Sequence, residues 1–257
     1  MKIFFSEAPA DYSTYTFPYG IYAVYEKPDD LNEIYARGFL PYSDIRFIKA
    51  EKPLFYLARS VRVDLSNFAL TSENRRIRKK TASLGLHYEI LPKNALPLSE
   101  MYPLILPYIH ERIGEAIDDK RLHYIYHFPL LNKIAVFRND TEILGYVWLI
   151  ENKNLRHYWF AFFKTAYLPA GLGKRMMEQM ISDAKERGMK HVYLGTCYGD
   201  KALYKVRDFK GVEFFDGNRW NTDLIWLKQK CKNDRIARPD DLKIYPDNFK
   251  GFIVNKE

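Results

Sequence analysis

A chain of 257 residues, 47% of them apolar, has material for one large domain or two small ones and for a sizeable core, which excludes a disordered chain. No apolar run reaches membrane-spanning length, the first residues hold too short an apolar run and too early an acid for a secretory leader, and Cys197 and Cys231 alone cannot build a disulfide scaffold and fit a reducing cytoplasm. A net charge of +8 favours a polyanionic partner such as RNA or DNA, although many basic proteins bind neither.

The opening twenty residues are rich in Tyr, Pro and Ser, with a strand expected at residues 2–5. Residues 20–26 read as a strand. Asp29 and Asp30 open a helix that ends at Gly38. Strands follow at residues 45–50 and 54–64, the second alternating through Val61 and Val63. Residues 1–70 are therefore a small α+β unit.

Residues 71–130 read as a helical, basic segment. Ser72 is a plausible N-cap, Glu73 suits the first turn, Ile77 and Leu84 face inward and Gly85 ends the helix. Arg75, Arg76, Arg78, Lys79 and Lys80 are left around its outer surface. Five cations in six positions repel one another, and a merely solvated face would intersperse acids, so this helix is a candidate for nucleic-acid phosphates. A strand is expected at 87–91 and a helix at 99–113, where Pro107 should kink it. Asp118 and Asp119 open an aromatic helix. His123 and His127 are four apart, but Tyr124 stands where a zinc protease motif has Glu, and no third ligand is in view, so no metal is expected.

From Lys133 the pattern changes. Residues 134–138, 143–151 and 155–163 are strands joined by short polar turns, which favours an antiparallel meander. Gly171 and Gly173 then bracket a turn that opens a helix running to Arg187 and stopping at Gly188. Leu172, Met176, Met177, Met180, Ile181 and Ala184 form its apolar face, with Lys174, Glu178, Ser182, Asp183 and Lys185 off it. The helix start, Gly171-Leu172-Gly173-Lys174, offers amide donors and a positive dipole end to a phosphate; it lacks the third glycine and later acid of a dinucleotide site, and by itself an ordinary tight turn is the better explanation of it. A strand at 191–195, a short helix at 200–208, a strand at 212–215 and a hairpin at Asp216-Gly217 complete residues 131–229. The tail, 230–257, shows no periodicity.

This order of elements resembles the GNAT acyltransferase fold: α+β, a mixed sheet with flanking helices, here preceded by the small N-terminal unit. The run Val192-Tyr193-Leu194-Gly195, then Lys201-Ala-Leu-Tyr204-Lys205, then Phe209, Glu213, Gly217 and Trp220 is similar to the C-terminal half of arginyl- and leucyl-tRNA–protein transferases. Upstream, Ala58-Arg-Ser-Val-Arg-Val63 followed by Ser72-x-Asn74-Arg75-Arg76 resembles that family's basic segment, and Ile34-Tyr-Ala-Arg-Gly38-Phe39 resembles its glycine-phenylalanine element. The likeness covers roughly residues 20–220. It departs from the family in lacking the N-terminal cysteine cluster, in Phe163-Lys164 where the family has Asp-Pro, and in Gly211 where the family has proline.

The resemblance implies transfer of an amino acid from aminoacyl-tRNA to an amine, at a protein or peptide N-terminus, in the cytoplasm, with no bound cofactor, no metal and no membrane. It implies a third meander strand splayed near residues 158–163 from the strand at 191–195, which frees amides for an oxyanion. It places Tyr204 where many GNAT enzymes protonate the leaving group, and Gly171, Leu172, Gly173, Lys174, Tyr193, Gly195 and Lys205 around the donor. Glu151, ending the second meander strand, is the candidate to take the amine proton. Cys197 is discounted as a nucleophile, because transfer in this fold is direct. Two alternatives stay open: acetyl-CoA as donor, whose pyrophosphate loop the Gly171–Lys174 turn approaches with Leu168 in place of Gln or Arg, and a non-catalytic module that binds tRNA or protein.

Overall fold

The computed structural model describes residues 1–7, 19–43 and 51–234; the strand expected at 45–50 and the tail beyond 234 lie outside them. In chain order the elements are β1 (Lys2–Glu7), β2 (Tyr19–Val24), α1 (Asp30–Ala36), β3 (Phe39–Pro41), β4 (Leu54–Leu57), β5 (Ser60–Asp64), α2 (Ser72–Lys80), β6 (His87–Pro92), α3 (Leu98–Arg112), α4 (Asp119–Tyr126), β7 (Lys133–Arg138), β8 (Ile143–Glu151), β9 (Leu155–Phe163), α5 (Leu172–Glu186), β10 (His191–Thr196), α6 (Tyr204–Arg207), β11 (Val212–Phe215), β12 (Trp220–Asn221) and α7 (Leu224–Asn233). The fold is α+β and GNAT-like, a mixed sheet with flanking helices. No helix among the described residues is long and apolar enough to cross a membrane.

The chain divides into two compact units, one of residues 1–62, 195–207 and 212–257, the other of residues 63–194 and 208–211. In the first, a four-stranded sheet runs in the order β1-β2-β4-β3, all antiparallel. Its core is aromatic: Tyr35 of α1 meets Phe55 of β4 edge-on at 5.8 Å, both fully buried. Residues 54–64, read from sequence as one strand, break at Ala58-Arg59, where Ser60 N–H turns back to the Ala58 carbonyl at 2.8 Å and Ser60 Oγ donates to the Gly38 carbonyl. The β11–β12 hairpin turns on Asp216, whose carboxylate accepts from the Asn218 and Arg219 amides at 2.9 Å.

In the second unit β6, β7, β8, β9 and β10 are neighbours in that order, antiparallel as far as β9 and parallel between β9 and β10. α5 follows β9 and starts at the glycine turn, as its sequence pattern requires. Its residues Leu172, Met176, Met180, Ile181 and Ala184 are fully buried. A second layer forms from α3 and α4, whose Met101, Ile105 and Ile125 meet Ile134, Trp148 and Phe162 of the sheet. α3 runs unbroken through both Pro103 and Pro107. The capping of α2 is by Thr71 rather than Ser72: Thr71 Oγ1 accepts from Asn74 N–H, and Asn74 Oδ1 accepts in return from Thr71 N–H.

One helix escapes the sequence pattern altogether. α7 begins inside the region read as hairpin and continues into the tail read as aperiodic. Asp223 caps it, accepting from the Ile225 and Trp226 amides, and only Leu227 and Cys231, four apart, are buried on it. Two apolar contacts are too few to raise a periodic signal above a run of lysines.

Candidate active site

The splay expected of the fold lies within the second unit. β9 and β10 pair only through His191↔Leu155, Val192↔Arg156 and Tyr193↔His157. β9 continues to Phe163, and on its other side it stays paired to β8. A register shift between Trp148 and Leu149 accommodates Trp159 as an extra residue on β9, opposite the point where pairing with β10 has ended. Gly195, with φ of +86°, bends β10 where its ladder stops, a conformation that only glycine adopts without strain. Past His157 and Tyr193 the ladder between β9 and β10 has ended.

The glycine turn has a packing reason for each glycine. Gly171 holds φ of +88°, and a Cβ there would stand 2.9 Å from Ile77 Cδ1 of α2; a Cβ at Gly173 would stand 2.7 Å from the Phe163 ring. No side chain caps α5, and its first backbone bond runs from Arg175 N–H to the Gly171 carbonyl, so the amides of Leu172, Gly173 and Lys174 have no intrahelical acceptor. Lys174 is not loose over that opening: its amine sits 2.7 Å from Asp208 and 3.5 Å from Glu73.

The basic helix is less unneutralised than its sequence suggests. Arg78 makes a two-pronged bond to Glu178 of α5, at 2.6 and 3.1 Å, and that carboxylate, almost wholly buried, also takes Arg175 and Ser182. Arg76 pairs in the same way with Glu73, and this bond, opposed by burial and aided by Lys174, holds the Glu73 carboxyl down at about 2. Arg75 donates to the Leu70 carbonyl, and Lys80 to that of Pro169. The reading of α2 as five cations on an outer surface is corrected: Arg78 is an internal brace to α5. The acids that neutralise it come from a helix a hundred residues away, which spacing along α2 cannot reveal.

Glu151 is also placed differently from its expected role. It is buried, opposite Arg156 in the β8–β9 register and therefore at the paired end of β9, not beside the splay. Its carboxylate binds the fully buried Arg156 at 2.8 Å and Arg187 at 3.3 Å. Arg156 further meets Asp183 at 2.7 Å and the Met180 carbonyl at 2.9 Å, and Tyr88 Oη donates to Asp183. Because Asp183 and Arg187 end α5 while the glycine turn begins it, some fifteen residues or about 20 Å separate Glu151 from that turn. Glu151 is therefore a member of a buried ion-pair cluster rather than a free carboxylate at a strand end.

Tyr193, the last residue of β10 paired to β9, is buried. In the first unit stand Gly195, Tyr204 and Lys205. Tyr204 begins α6 and is 39% exposed. The Lys205 amine donates to the Thr196 carbonyl at 2.7 Å, lies 3.4 Å from where a Gly195 Cβ would be, and sits 5.8 Å from the Tyr204 ring. Burial, only slightly countered by Cys197, pushes its pKa down to about 8. Cys197 and Cys231, both buried with sulfurs 3.7 Å apart, are thiols; burial first and then the neighbouring Cys231 push Cys197 up to about 12, which leaves it protonated and inert. No cluster of three or more His, Cys, Asp or Glu capable of holding a metal occurs among the described residues. Tyr102 Oη engages His123 Nε2 at 2.7 Å, while His127 Nδ1 contacts the His123 carbonyl.

Residues 131–210 match the acetyltransferase (GNAT) domain family. An aspartate/glutamate leucyltransferase of Stenotrophomonas maltophilia strain K279a is 24% identical over 174 residues, covering 63% of this chain and 68% of that protein; its counterpart in strain R551-3 is 23% identical over the same length. Among solved structures, L-PGS from Bacillus licheniformis aligns with a TM-score of 0.46 at 11% identity, over 84% of this chain and 73% of that one. The C-terminal domain of a protein named as a lysylphosphatidylglycerol synthetase from Agrobacterium fabrum aligns at 0.44 and 16% identity; this chain covers 68% of itself and about half, 54%, of that structure.

Proposed function

We propose that this chain, a divergent acyltransferase of the GNAT superfamily, moves an amino acid from aminoacyl-tRNA to the amine of a protein or peptide N-terminus. The observation that carries this reading is the similarity to aspartate/glutamate leucyltransferases over 174 residues. In such a step the neutral amine nitrogen attacks the ester carbonyl carbon. The bond from that carbon to the terminal ribose oxygen breaks, the ribose oxygen takes up a proton, and the amine gives one up to solvent. Amides of β9 beyond its ladder with β10, on the side turned away from β8, suit the carbonyl oxygen as it becomes an oxyanion in this reading. Tyr204 Oη is the proton source in this reading, and Lys205, beside Gly195 and Tyr204, accompanies the donor. Tyr193 stays a wall of the strand. Arg75, Lys79 and Lys80 of α2 serve the tRNA backbone, with Arg76 in reserve behind Glu73.

Acetyl-CoA remains the second reading, favoured by the three open amides of Leu172, Gly173 and Lys174. Against it stand Lys174, held by Asp208 and Glu73, and the close packing of both glycines. Single-turnover transfer to a peptide, run separately with charged tRNA and with acetyl-CoA, decides between them. With the active donor, Tyr204→Phe should cut the rate by about two to four powers of ten while leaving donor affinity unchanged. Equal rates would return Tyr204 to a packing role, transfer from acetyl-CoA alone would replace the donor, and stoichiometric tRNA binding with no transfer would make the chain a binding module.

A further inference from the structure

The segment after β10 is held from outside itself. Residues 195–199 contain two glycines in left-handed conformations, Gly195 at φ of +86° and Gly199 at +65°, and between β10 and the short turn at Asp200–Ala202 there is no regular hydrogen-bonded element. A segment so built has many accessible conformations. The partners that hold it are Arg59 and Asp234. Cys197 N–H donates to the Arg59 carbonyl at 2.9 Å, Arg59 N–H to Tyr198 Oη at 2.9 Å, and the Arg59 guanidinium to the Cys197 carbonyl at 3.3 Å. The same guanidinium grips Asp234 with both nitrogens, at 2.8 and 3.0 Å, and lies 4.8 Å from the centre of the Tyr198 ring. Asp234 completes the loop by accepting from Gly199 N–H at 2.7 Å. Both side chains are close to nine-tenths buried, at 12% and 10% exposure. The Thr196 carbonyl, next to this grip, is the one that the Lys205 amine binds.

We infer that Arg59 and Asp234 are positioning residues for acyl transfer: together they lock residues 196–199 and thereby fix where the Lys205 amine and the Tyr204 hydroxyl are presented. This rests on the proposed function in so far as Tyr204 and Lys205 act on the donor. A two-pronged, buried arginine–carboxylate bond is directional, so it sets orientation as well as proximity. A displacement of about 1 Å at reacting groups is enough to cost about a hundredfold in rate. Neither Arg59 nor Asp234 needs to touch a substrate for this.

The test uses the full chain and the variants Asp234→Asn and Arg59→Lys. Amide exchange at residues 197 and 199 is followed by mass spectrometry, alongside single-turnover transfer and donor affinity. The expected result is exchange at 197 and 199 at least about tenfold faster with other protected amides unchanged, a transfer rate lower by about ten- to a hundredfold, and donor affinity within about twofold of wild type. Arg59→Lys keeps the charge but not the fork, and should recover only part of the rate. If Asp234→Asn does not fold, Tyr198→Phe, which removes only the hydroxyl that accepts from Arg59 N–H, carries the same test with a smaller effect. Unchanged exchange at 197 and 199 overturns the inference, as does faster exchange with an unchanged rate, or a rate loss matched by an equal loss of affinity. If wild type transfers no acyl group from either donor, the proposed function has failed, and the exchange measurement alone still judges whether Arg59 and Asp234 hold the loop.

Discussion

Arg156 and Lys205 are two desolvated cations treated in opposite ways. Arg156, in the second unit, is fully buried and surrounded by compensation: two carboxylates, Glu151 and Asp183, and a helix carbonyl. Lys205, in the first unit, has a single carbonyl, and no carboxylate among the described residues acts on its amine. The first arrangement ties β8, β9 and α5 together. The second leaves a charge that can be given up near neutral pH, which is useful to chemistry and costly to stability. Burial of a charged residue therefore says little about role until its partners are counted.

The sharpest way to break this contrast is to remove the compensated cation. Arg156→Met should destabilise the second unit by about 3–5 kcal/mol, because Glu151 is left buried and both it and Asp183 keep only the more exposed Arg187 as a cation; denaturant unfolding reads this, and a loss below about 1 kcal/mol would mean that Arg187 or water already compensates the cluster.

Removing Lys205 should do the reverse. Its folded pKa of about 8 lies below the usual lysine value of 10.5, so below pH 8 the folded state carries a desolvated charge. Wild-type stability should rise as pH climbs from 8 to 10.5, as the folded amine loses its proton before the unfolded one does. Lys205→Met lacks that rise. At pH 7 it should be more stable than wild type by about 2–3 kcal/mol, the gap closing as pH climbs from 8 to 10.5, while transfer is lost. A variant less stable than wild type at pH 7 would show that the amine is compensated after all.

The helix α2 extends the contrast to the surface. Mutating Arg75, Arg76 and Lys79 together to Ala should lower the log–log salt slope of tRNA binding by about two rather than three, because Glu73 already neutralises Arg76. An unchanged slope would make α2 a solvated face with a brace to α5. The smallest effect belongs to Glu73 itself. With its folded pKa at about 2, the stability that it adds is complete above pH 4.5 and vanishes as pH falls to 2. The difference between wild type and Glu73→Gln should therefore fade over that interval, and a difference surviving below pH 2 would point to packing instead.

The parts legible in the sequence were those written in local pattern. The meander, the glycine turn, α5 with its apolar face and the β11–β12 turn at Asp216 all follow from periodicity and turn chemistry, and the mixed GNAT-like sheet follows from their order. What stayed hidden depends on residues distant in the chain. Glu178 and Asp183 were correctly placed off the apolar face of α5, yet both are drawn inward by arginines from α2 and β9. The break at Ala58-Arg59 and the helix α7 are likewise sustained by partners far along the chain, such as Gly38 for Ser60 and Cys197 for Cys231. At the site, the glycines and Lys205 were visible as residue types. The desolvation of the lysine and the grip on residues 196–199 were not, because both are properties of surroundings.

The contact of Gly173 with Phe163 makes α5 a lever. The helix is seated on a ring with no room for one more methyl group, so its starting height is set by the thickness of that ring. Asp183 lies ten residues further along, about 15 Å by helix rise, where it grips Arg156. A helix transmits tilt as a rigid rod, so a shift of a few tenths of an ångström at the turn would reappear, enlarged by leverage, at the ion pairs of β8 and β9. Gly173→Ala would thus be felt at the far end of α5, in the geometry of an ion-pair cluster with which it shares no contact.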